Sequence, residues 1–361
     1  MKSTSSIRVA MLGTGAWARR AHLPTLTALP GVEVVACADA SPDQAAEVAR
    51  SFGIPSVYPG LDELLDATPE LDLLVIAAPD DVHAPAMRTA LARGIAVFCE
   101  KPLANDYATA TELADLADAA AAPATVGYSF RYSPAVQALL ADLESGVLGD
   151  VWLIEVAEHN SQFHPLLGKP MNWKGDPDYA AGGALFEYGS HVLDLCLWLL
   201  GPVSAVSSDL IRVRPDARLD DIATLQLRFA GGASGTLLCS WLLTGGYPGI
   251  RIRLHTSMGL AEVELSDTLP DAERYVRYHP DGSAIATPEL SRLADGDTAY
   301  TRRHLMDLLG QLTGDHERAS TISPTAGVRP SRTLPTVRQS ARVQQVLEAA
   351  LSAGDHWVHI P

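Results

Sequence analysis

An apolar stretch at residues 184–200 contains three polar side chains at helical spacing, and a carboxylate and an imidazole placed in this way could perform acid and base chemistry. Glu187, His191 and Asp194 stand at positions i, i+4 and i+7, so a helix would align them along one stripe. Two glycines precede the stretch and a Gly-Pro pair follows it, which predicts a helix over these residues. Taken alone, this helix favours a salt pair or a satisfied buried histidine over a catalytic role.

A glycine motif near the start of the sequence is typical of a dinucleotide-binding turn. An apolar run predicts a strand, which leads into the G-x-G-x-x-A pattern of residues 13–18 and then into a helix. Gly13 permits a tight turn, and Gly15 would let a pyrophosphate approach the backbone. The helix N-terminus at Ala16 and Trp17 favours the negative charge of that group. Because similar turns also occur for structural reasons, the motif alone leaves both roles open.

An acidic residue ends the second predicted strand. The apolar run at residues 32–38 stops at Asp39, close to the spacing of about 20 residues at which a dinucleotide-binding unit contacts the ribose hydroxyls. Ala40 and Ser41 follow, and no adjacent arginine is present to receive a 2′-phosphate. This pattern favours NAD over NADP. The alternative is an aspartate that only opens the helix beginning at Pro42.

Strands and helices alternate through the first third of the sequence. Apolar runs predict strands at residues 71–78 and 95–99, with a helix at about residues 85–93 between them. The alternation predicts an α/β fold with a doubly wound parallel sheet, which binds ligands at the carboxyl ends of its strands. Glu100 and Lys101 follow one such strand directly.

The later part of the sequence predicts a second domain. We assign residues 1–127 to a Rossmann dinucleotide-binding domain and residues 128–361 to an α+β domain for substrate and oligomer contacts. Glycine turns at residues 231–232 and 258–259 join strand-like runs into hairpins, which predicts a mainly antiparallel open sheet. Such a sheet can offer one face to a partner subunit, so we expect a homo-oligomer, either a dimer or a tetramer. Residues 320–335 predict an ordered loop or a wrapping arm.

The composition limits the classes of partner. The chain has 361 residues, of which 47% are hydrophobic, and a formal net charge of −16, which argues against nucleic acid or an anionic membrane as the main partner. No signal region and no apolar run of about 18 residues occurs, so we expect a cytoplasmic protein. The four cysteines are scattered, which predicts core thiols and neither a disulfide framework nor a metal site.

Four motifs occur in order along the sequence: AAPDDVH at residues 77–83, FCEKPLA at 98–104, FRYSP at 130–134, and GGALFEYGSH at 182–191 followed by Asp194. Together they resemble the successive signatures of the Gfo/Idh/MocA oxidoreductase family, which includes glucose–fructose oxidoreductase and inositol dehydrogenase. The resemblance implies an N-terminal Rossmann domain and a C-terminal α+β domain whose open sheet often serves in oligomer contacts.

The same resemblance implies roles for individual residues. Lys101 would lie beside the reacting carbon, His191 would be the acid and base, and Glu187 would be a second active-site carboxylate. Two departures stand out, because the family more often has Asp in place of Glu187 and commonly has Asn or Thr in place of Asp80. Besides the glycine motif and Asp39, the cofactor contacts that the resemblance implies are Ala78, Pro79, His83, Glu100 and Lys101.

These features predict an NAD(H)-dependent oxidoreductase that transfers hydride between nicotinamide and a secondary alcohol or ketone of a sugar, cyclitol or related polyol. Two alternatives stay open: a redox-neutral enzyme that retains its NAD during elimination or glycoside cleavage, and a non-catalytic dinucleotide sensor. His159, Asn172 and Trp173 could line the sugar pocket, with the ring of Trp173 stacking on the substrate. Local packing is the alternative for these three side chains.

Overall fold

The first third of the chain forms a six-stranded sheet in the order β3-β2-β1-β4-β5-β6, with every described pair of neighbours parallel. This is the strand order of a doubly wound dinucleotide-binding fold, so the predicted Rossmann sheet is confirmed. The strands are β1 (Ile7–Leu12), β2 (Val32–Ala38), β3 (Ser56–Tyr58), β4 (Leu73–Ile76), β5 (Ala96–Cys99) and β6 (Ala124–Val126). The helices are α1 (Leu23–Ala28), α2 (Pro42–Phe52), α3 (Leu61–Ala67), α4 (Asp80–Ala92) and α5 (Tyr107–Ala119). The computed structural model describes residues 6–243, 249–266, 273–287, 290, 298–314 and 334–361.

The helix after β4 begins earlier than the sequence pattern predicts. Proline is favoured in a first helical turn, which is why the pattern places the start near Pro85. In the structure α4 begins at Asp80 and contains Pro85 in its interior. Asp80 and Asp81 occupy the first turn, where the helix dipole stabilises negative charge. Asp80 is thereby placed at the edge of the sheet where ligands bind.

The second half of the chain builds a nine-stranded sheet in the order β14-β13-β12-β11-β7-β10-β9-β8-β15. Its neighbours are antiparallel except for β7 and β10, so the prediction of a mainly antiparallel sheet is confirmed. The strands are β7 (Val151–His159), β8 (Val203–Ile211), β9 (Ile222–Phe229), β10 (Ser234–Ser240), β11 (Gly249–Thr256), β12 (Gly259–Ser266), β13 (Arg274–Tyr278), β14 (Ala284–Ile285) and β15 (Val358–His359). The helices are α6 (Pro134–Glu144), α7 (Ser190–Leu200), α8 (Thr298–Thr313) and α9 (Val337–Ala353).

One face of the second sheet is charged. Along β11 the arginines alternate with buried apolar residues, and Arg253 lies 3.2 Å from Glu155 on β7 and 3.3 Å from Glu262 on β12. Arg251 similarly faces Glu264 at 3.6 Å. The opposite face packs against helices, so this sheet has one helix-covered face and one open face.

Two late helices return to the first sheet. Leu305 and Leu308 of α8 belong to the apolar cluster that includes residues of β1, β4 and β5. At the start of α9, Thr336 forms a bridge with Thr125 of β6. The boundary between residues 127 and 128 separates the two sheets, and as a division between folding units it stays a prediction. Of the loop predicted at residues 320–335, residues 320–333 lie outside the described part of the chain.

The four cysteines, at positions 37, 99, 196 and 239, are all free and buried, as expected for core thiols. Within the described ranges, no helix is both long enough and apolar enough to cross a membrane. The same ranges contain no cluster of three or more His, Cys, Asp or Glu side chains arranged to hold a metal ion.

Candidate active site

The glycine turn after β1 leaves open space at the carboxyl edge of the first sheet. Gly13 has a φ of +90°, and a Cβ there would lie 2.3 Å from the carbonyl oxygen of Ala77, so a side chain cannot be accommodated. A Cβ at Gly15 would meet no atom within 4 Å. The helix that follows starts at Ala16 and directs its N-terminus toward this space. Trp17 stands in its first turn, so these residues fit a bound dinucleotide pyrophosphate.

Asp39 lies beside that turn at the end of β2. Its carboxylate accepts hydrogen bonds from the backbone N–H and the hydroxyl of Thr14, at 2.7 and 2.8 Å, and from the N–H of Ser41 at 2.8 Å. Burial raises the pKa of Asp39, but the backbone N–H groups of Ser41 and Thr14 outweigh that effect, and the net pKa is lowered. Asp39 is therefore an ionised carboxylate next to the glycine turn, as a contact to ribose hydroxyls requires.

The loops after β4 and β5 are joined by His83. Its Nδ1 lies 2.8 Å from the carbonyl oxygen of Pro102 and its Nε2 lies 3.0 Å from that of Ala78. His83 is completely buried, and burial lowers its pKa. The structure thus places this histidine between the loops, where its neutral ring donates to one of the two carbonyl oxygens, while Ala78 and Pro79 lie on the loop itself.

Glu100 has a similar supporting position. Its Oε1 lies 2.8 Å from Nε2 of the fully buried His22, which precedes α1. A Cβ on Gly127 would lie 2.7 Å from the other carboxylate oxygen of Glu100, so this side chain fills the space above that glycine. The fixed backbone of Glu100 in turn sets the position of Lys101, which follows it beyond the end of β5.

The helix predicted at residues 184–200 is present, but its first turn is π-helical. Leu185–Gly189 forms the π turn and α7 continues from it. Asp220 caps this start, because its carboxylate accepts hydrogen bonds from the N–H groups of Gly183 and Leu185, both at 2.8 Å. A Cβ on Gly183 would lie 2.0 Å from the Asp220 carbonyl oxygen, which explains the glycine. Glu187 lies within the π turn, a feature often found at functional sites.

Glu187 is held between two lysines. Its Oε2 lies 3.1 Å from Nζ of Lys101, and its Oε1 accepts a hydrogen bond of 2.5 Å from Nζ of Lys174. Lys101 also donates to the backbone carbonyl oxygen of Glu187 at 3.0 Å. Burial would raise the pKa of Glu187, but Lys101 and then Lys174 lower it far below its ordinary value. The carboxylate is therefore ionised, and its lowered pKa makes it a weak base.

Lys174 is a site residue that the sequence analysis missed. It stands in the 3₁₀ turn Trp173–Gly175, directly after two residues that were predicted to contact substrate. Asn172 accepts a hydrogen bond from the N–H of Lys174 at 3.1 Å, and the ring of Trp173 lies 5.8 Å from its Nζ. Asn172 and Trp173 thus form the turn that carries the second lysine to Glu187.

His159 is not brought to this cluster. Side chains alternate along β7, and His159 falls on the same face as Glu155, which is the open face of the second sheet. Burial and then the nearby Arg251 lower its pKa. A substrate contact by His159 therefore finds no support in the geometry, because the side chain points away from the helix-covered face.

His191 faces the lysine cluster from α7 in a neutral state. The ring of Phe130 packs edge-on against it at 4.9 Å, and its buried Nδ1 has no hydrogen-bond partner among the residues that the structure describes. Burial, and then the charge of Lys101, lower the pKa of His191 well below 6.5. In Lys101 burial lowers the pKa, but the nearby carboxylates, Glu187 first, together outweigh it and the net pKa is raised. A neutral imidazole and a lysine cation thus lie at one site.

Asp194 has a structural partner instead. Its carboxylate binds Arg131 through two hydrogen bonds, from Nε at 2.8 Å and from Nη2 at 2.5 Å. Arg131 also donates to Gln339 of α9 and lies 5.2 Å from the ring centre of Trp198. Asp194 therefore ties the helix to the segment around Arg131 and does not face the lysine cluster.

Two models of one family match the chain in succession. The model described as an oxidoreductase family with an NAD-binding Rossmann fold matches residues 7–128, and the Gfo/Idh/MocA C-terminal domain model matches residues 136–262. The chain belongs to the Gfo/Idh/MocA oxidoreductase family. The resemblance inferred from the four motifs is confirmed, and the Rossmann domain is of the NAD-binding type.

Two of the relatives are named as sugar dehydrogenases. D-apiose dehydrogenase of Paraburkholderia graminis is 29% identical over 64% of this chain and 60% of its own length. Levoglucosan dehydrogenase of Pseudarthrobacter phenanthrenivorans is 26% identical over 64% of each chain. These matches thus span less than two thirds of the relatives. A solved structure of levoglucosan dehydrogenase with NADH and levoglucosan has a TM-score of 0.79 and 22% identity over 99% of each chain, which shows a common fold.

Proposed function

We propose that this protein is an NAD(H)-dependent dehydrogenase that interconverts a secondary alcohol and a ketone in a sugar, cyclitol or related polyol. The observation that carries the proposal is that Lys101, at the carboxyl edge of an NAD-binding sheet, reaches Glu187 in the same helical stretch that carries His191. The names of two relatives, D-apiose dehydrogenase and levoglucosan dehydrogenase, support a sugar-like substrate.

The residues divide the reaction between them. Oxidation removes a hydride from the carbinol carbon and a proton from its hydroxyl group, and bound NAD supplies the acceptor for the hydride. His191 takes the proton, because burial leaves its imidazole unprotonated. Lys101 donates a hydrogen bond to the substrate oxygen and stabilises the negative charge that develops on it. Reduction runs through the same atoms in reverse, with the proton returned from His191.

The test is a panel of sugars, cyclitols and polyols with NAD⁺, and of keto-sugars with NADH, followed by absorbance of the reduced cofactor. Lys101→Met should lower turnover by about 10²- to 10³-fold while NAD binding, measured by fluorescence, stays close to the wild-type value. Lys169→Met is the matched control, because Lys169 is exposed on the segment that also carries Lys174. Near-normal turnover of Lys101→Met, or product formation without net NADH, would contradict the proposal.

The cofactor preference has its own test at Asp39. Asp39→Ala removes the carboxylate that would bind the ribose hydroxyls and repel a 2′-phosphate, so affinity for NAD should fall about tenfold or more relative to NADP. Asp43→Ala is the matched control, because Asp43 is exposed at the start of α2. An unchanged NAD to NADP ratio would exclude the ribose role.

We also infer that the open face of the second sheet is the contact between copies of this chain. Its charged pairs, such as Arg253 with Glu155 and Glu262, form a self-complementary pattern of both signs. Sedimentation of the wild type and of Arg253→Glu tests this inference. A monomeric wild type would overturn it.

A further inference from the structure

Lys174 shares its counter-ion with another cation. Among the residues that the structure describes, Glu187 is the carboxylate within ion-pair distance of Lys174 and of Lys101, at 2.5 and 3.1 Å. One carboxylate is therefore shared by two ammonium groups, and further acids act on Lys101 from a longer distance. Each ammonium has three N–H donors, and Lys174 gives one of them to Glu187. Lys174 thus retains donors and part of its positive charge for another group.

Two further acids lie nearby without replacing that counter-ion. Glu100 is engaged with His22, with 2.8 Å between Oε1 and Nε2. Asp80 is buried, and burial together with the charge of Glu187 raises its pKa to about 7, so it is only partly ionised at neutral pH. Lys101 and Lys174 lower the pKa of Asp80, whereas Asp81 raises it. The positive charge at Lys174 therefore stays incompletely matched.

The turn around Lys174 is built to hold this side chain. Asn172 accepts the hydrogen bond from the N–H of Lys174, and Gly175 donates its N–H to the carbonyl oxygen of Asn172 at 3.1 Å. A Cβ on Gly175 would lie 2.2 Å from Cγ of Met171, so the glycine lets this side chain pack against the turn. These contacts fix the backbone of Lys174, so little backbone entropy is lost when its side chain reaches Glu187.

The three charged side chains form a row that leads outward. The exposed fraction of the side chain is 11% for Lys101, 18% for Glu187 and 28% for Lys174. Exposure therefore rises from Lys101 through Glu187 to Lys174, which is the least buried of the three. A substrate whose hydroxyl group reaches Lys101 places its outer part near Lys174.

We infer that Lys174 is a specificity-determining residue that binds a carboxylate of the substrate, which makes the substrate a sugar acid such as an aldonate or a uronate. A hydroxyl group could accept hydrogen bonds from the remaining N–H donors of Lys174. Only an anion would also balance the positive charge that remains on Lys174 because Glu187 is shared with Lys101. This inference rests on the proposed dehydrogenase function, which it deepens by naming the substrate class.

The test compares pairs of compounds that differ only in the carboxylate, such as a hexonate with its hexitol and a hexuronate with its hexose. For the wild type, kcat/KM should be at least about tenfold higher on the acid of the preferred pair. Lys174→Met should lower the acid-to-neutral ratio of kcat/KM by about 10- to 100-fold, chiefly by raising KM for the acid, on top of any smaller loss that the two compounds share. Lys174→Arg should keep most of the preference, and Lys169→Met should keep all of it.

A purely structural role for Lys174 predicts a different result. If it served only to hold Glu187, Lys174→Met would lower kcat on the acid and on the neutral compound by the same factor. That result, or a wild-type preference for the neutral compound, would overturn the inference and leave the proposed function intact.

If the wild type oxidised no compound, the proposed function would fail, and binding to the complex with NADH would still decide the role of Lys174. Binding of the acid, followed by NADH fluorescence and lost in Lys174→Met, would support the inference. Absence of acid binding to the wild type would overturn it.

Discussion

The helix at residues 184–200 carries two ionic clusters that are built in opposite ways. At its far turn, Asp194 meets Arg131 in a bidentate pair with side-chain exposures of 1% and 2%, so one negative charge matches one positive charge away from water. At its first turn, Glu187 is divided between two lysines and the row of charges opens outward. Both clusters join distant parts of the chain.

The difference distinguishes a structural ion pair from a functional site. The pair of Asp194 with Arg131 contains no unmatched charge. Its removal should lower the stability of the fold more than it lowers the rate of the reaction. The cluster at Glu187 keeps donors and charge unused, which costs stability unless a ligand uses them. Incomplete charge matching next to an accessible edge therefore points to the functional cluster more clearly than burial does.

The largest effect that tests this contrast is expected at His191. His191→Asn removes the proton acceptor, so kcat should fall by about 10²- to 10⁴-fold while the free energy of unfolding changes little. Steady-state kinetics and urea unfolding measure the two quantities. His356→Asn is the control, because the side chain of His356 is 88% exposed. A large loss of stability in His191→Asn would remove the distinction between the clusters.

The opposite response is expected at Arg131. Arg131→Met leaves the buried Asp194 carboxylate unpaired, so the free energy of unfolding should fall by about 3–5 kcal/mol. The folded fraction should keep kcat within about tenfold of the wild type. The double variant Arg131→Met with Asp194→Leu should be more stable than Arg131→Met, because no charge remains buried. A double variant that is less stable than the single one would contradict this account.

The pH dependence of the reaction should report the protonation of His191. The pKa of His191 lies well below 6.5, so the imidazole is already neutral at neutral pH and the base is present. The value of kcat/KM for alcohol oxidation should therefore stay level from about pH 8 to about pH 6.5. It should fall about tenfold per pH unit only below the lowered pKa. Ketone reduction needs the protonated imidazole, so its rate should rise in that acidic range. An acid limb at or above pH 6.5 would show that His191 is not the group observed.

The smallest effect is expected when the carboxylate is shortened. Glu187→Asp moves the carboxylate back by one methylene, so it can no longer reach both Lys101 and Lys174. Turnover should fall by about three- to tenfold, because the lysines keep their charge but lose their common partner. Glu187→Gln should do more harm, since two cations would then face each other without a carboxylate. Equal kinetics for the wild type and Glu187→Asp would show that Glu187 is not what positions Lys101.

The sequence reveals most of the site where local patterns set the geometry. Gly13 and Asp39 follow strands of a parallel sheet, whose carboxyl ends meet at one edge, and the structure places them side by side. Glu187 and His191 share a helix, so their spacing alone brings them near one another. Lys101 needed the family resemblance, because a lysine after a strand has no pattern of its own.

Other features depend on contacts that no local pattern records. Lys174 stands in an irregular turn, and the polar residues before it were the available signal, although they pointed to substrate and not to Glu187. The π turn inserts its extra residue without any change in apolar periodicity, and it is fixed by Asp220 from another part of the chain. For His159, alternation along a strand does not tell which face is covered by helices, and its contact with substrate stays a prediction that the geometry does not support.

The return of α8 and α9 to the first sheet affects how the protein folds during its synthesis. Leu305 and Leu308 fill the apolar layer against β1, β4 and β5, yet the ribosome makes them long after those strands have emerged. Until then the part of this layer that α8 covers stays exposed to chaperones or to premature association with other nascent chains. The cofactor-binding half is thus translated early but matures late, so a stalled or shortened nascent chain should accumulate as an aggregation-prone intermediate.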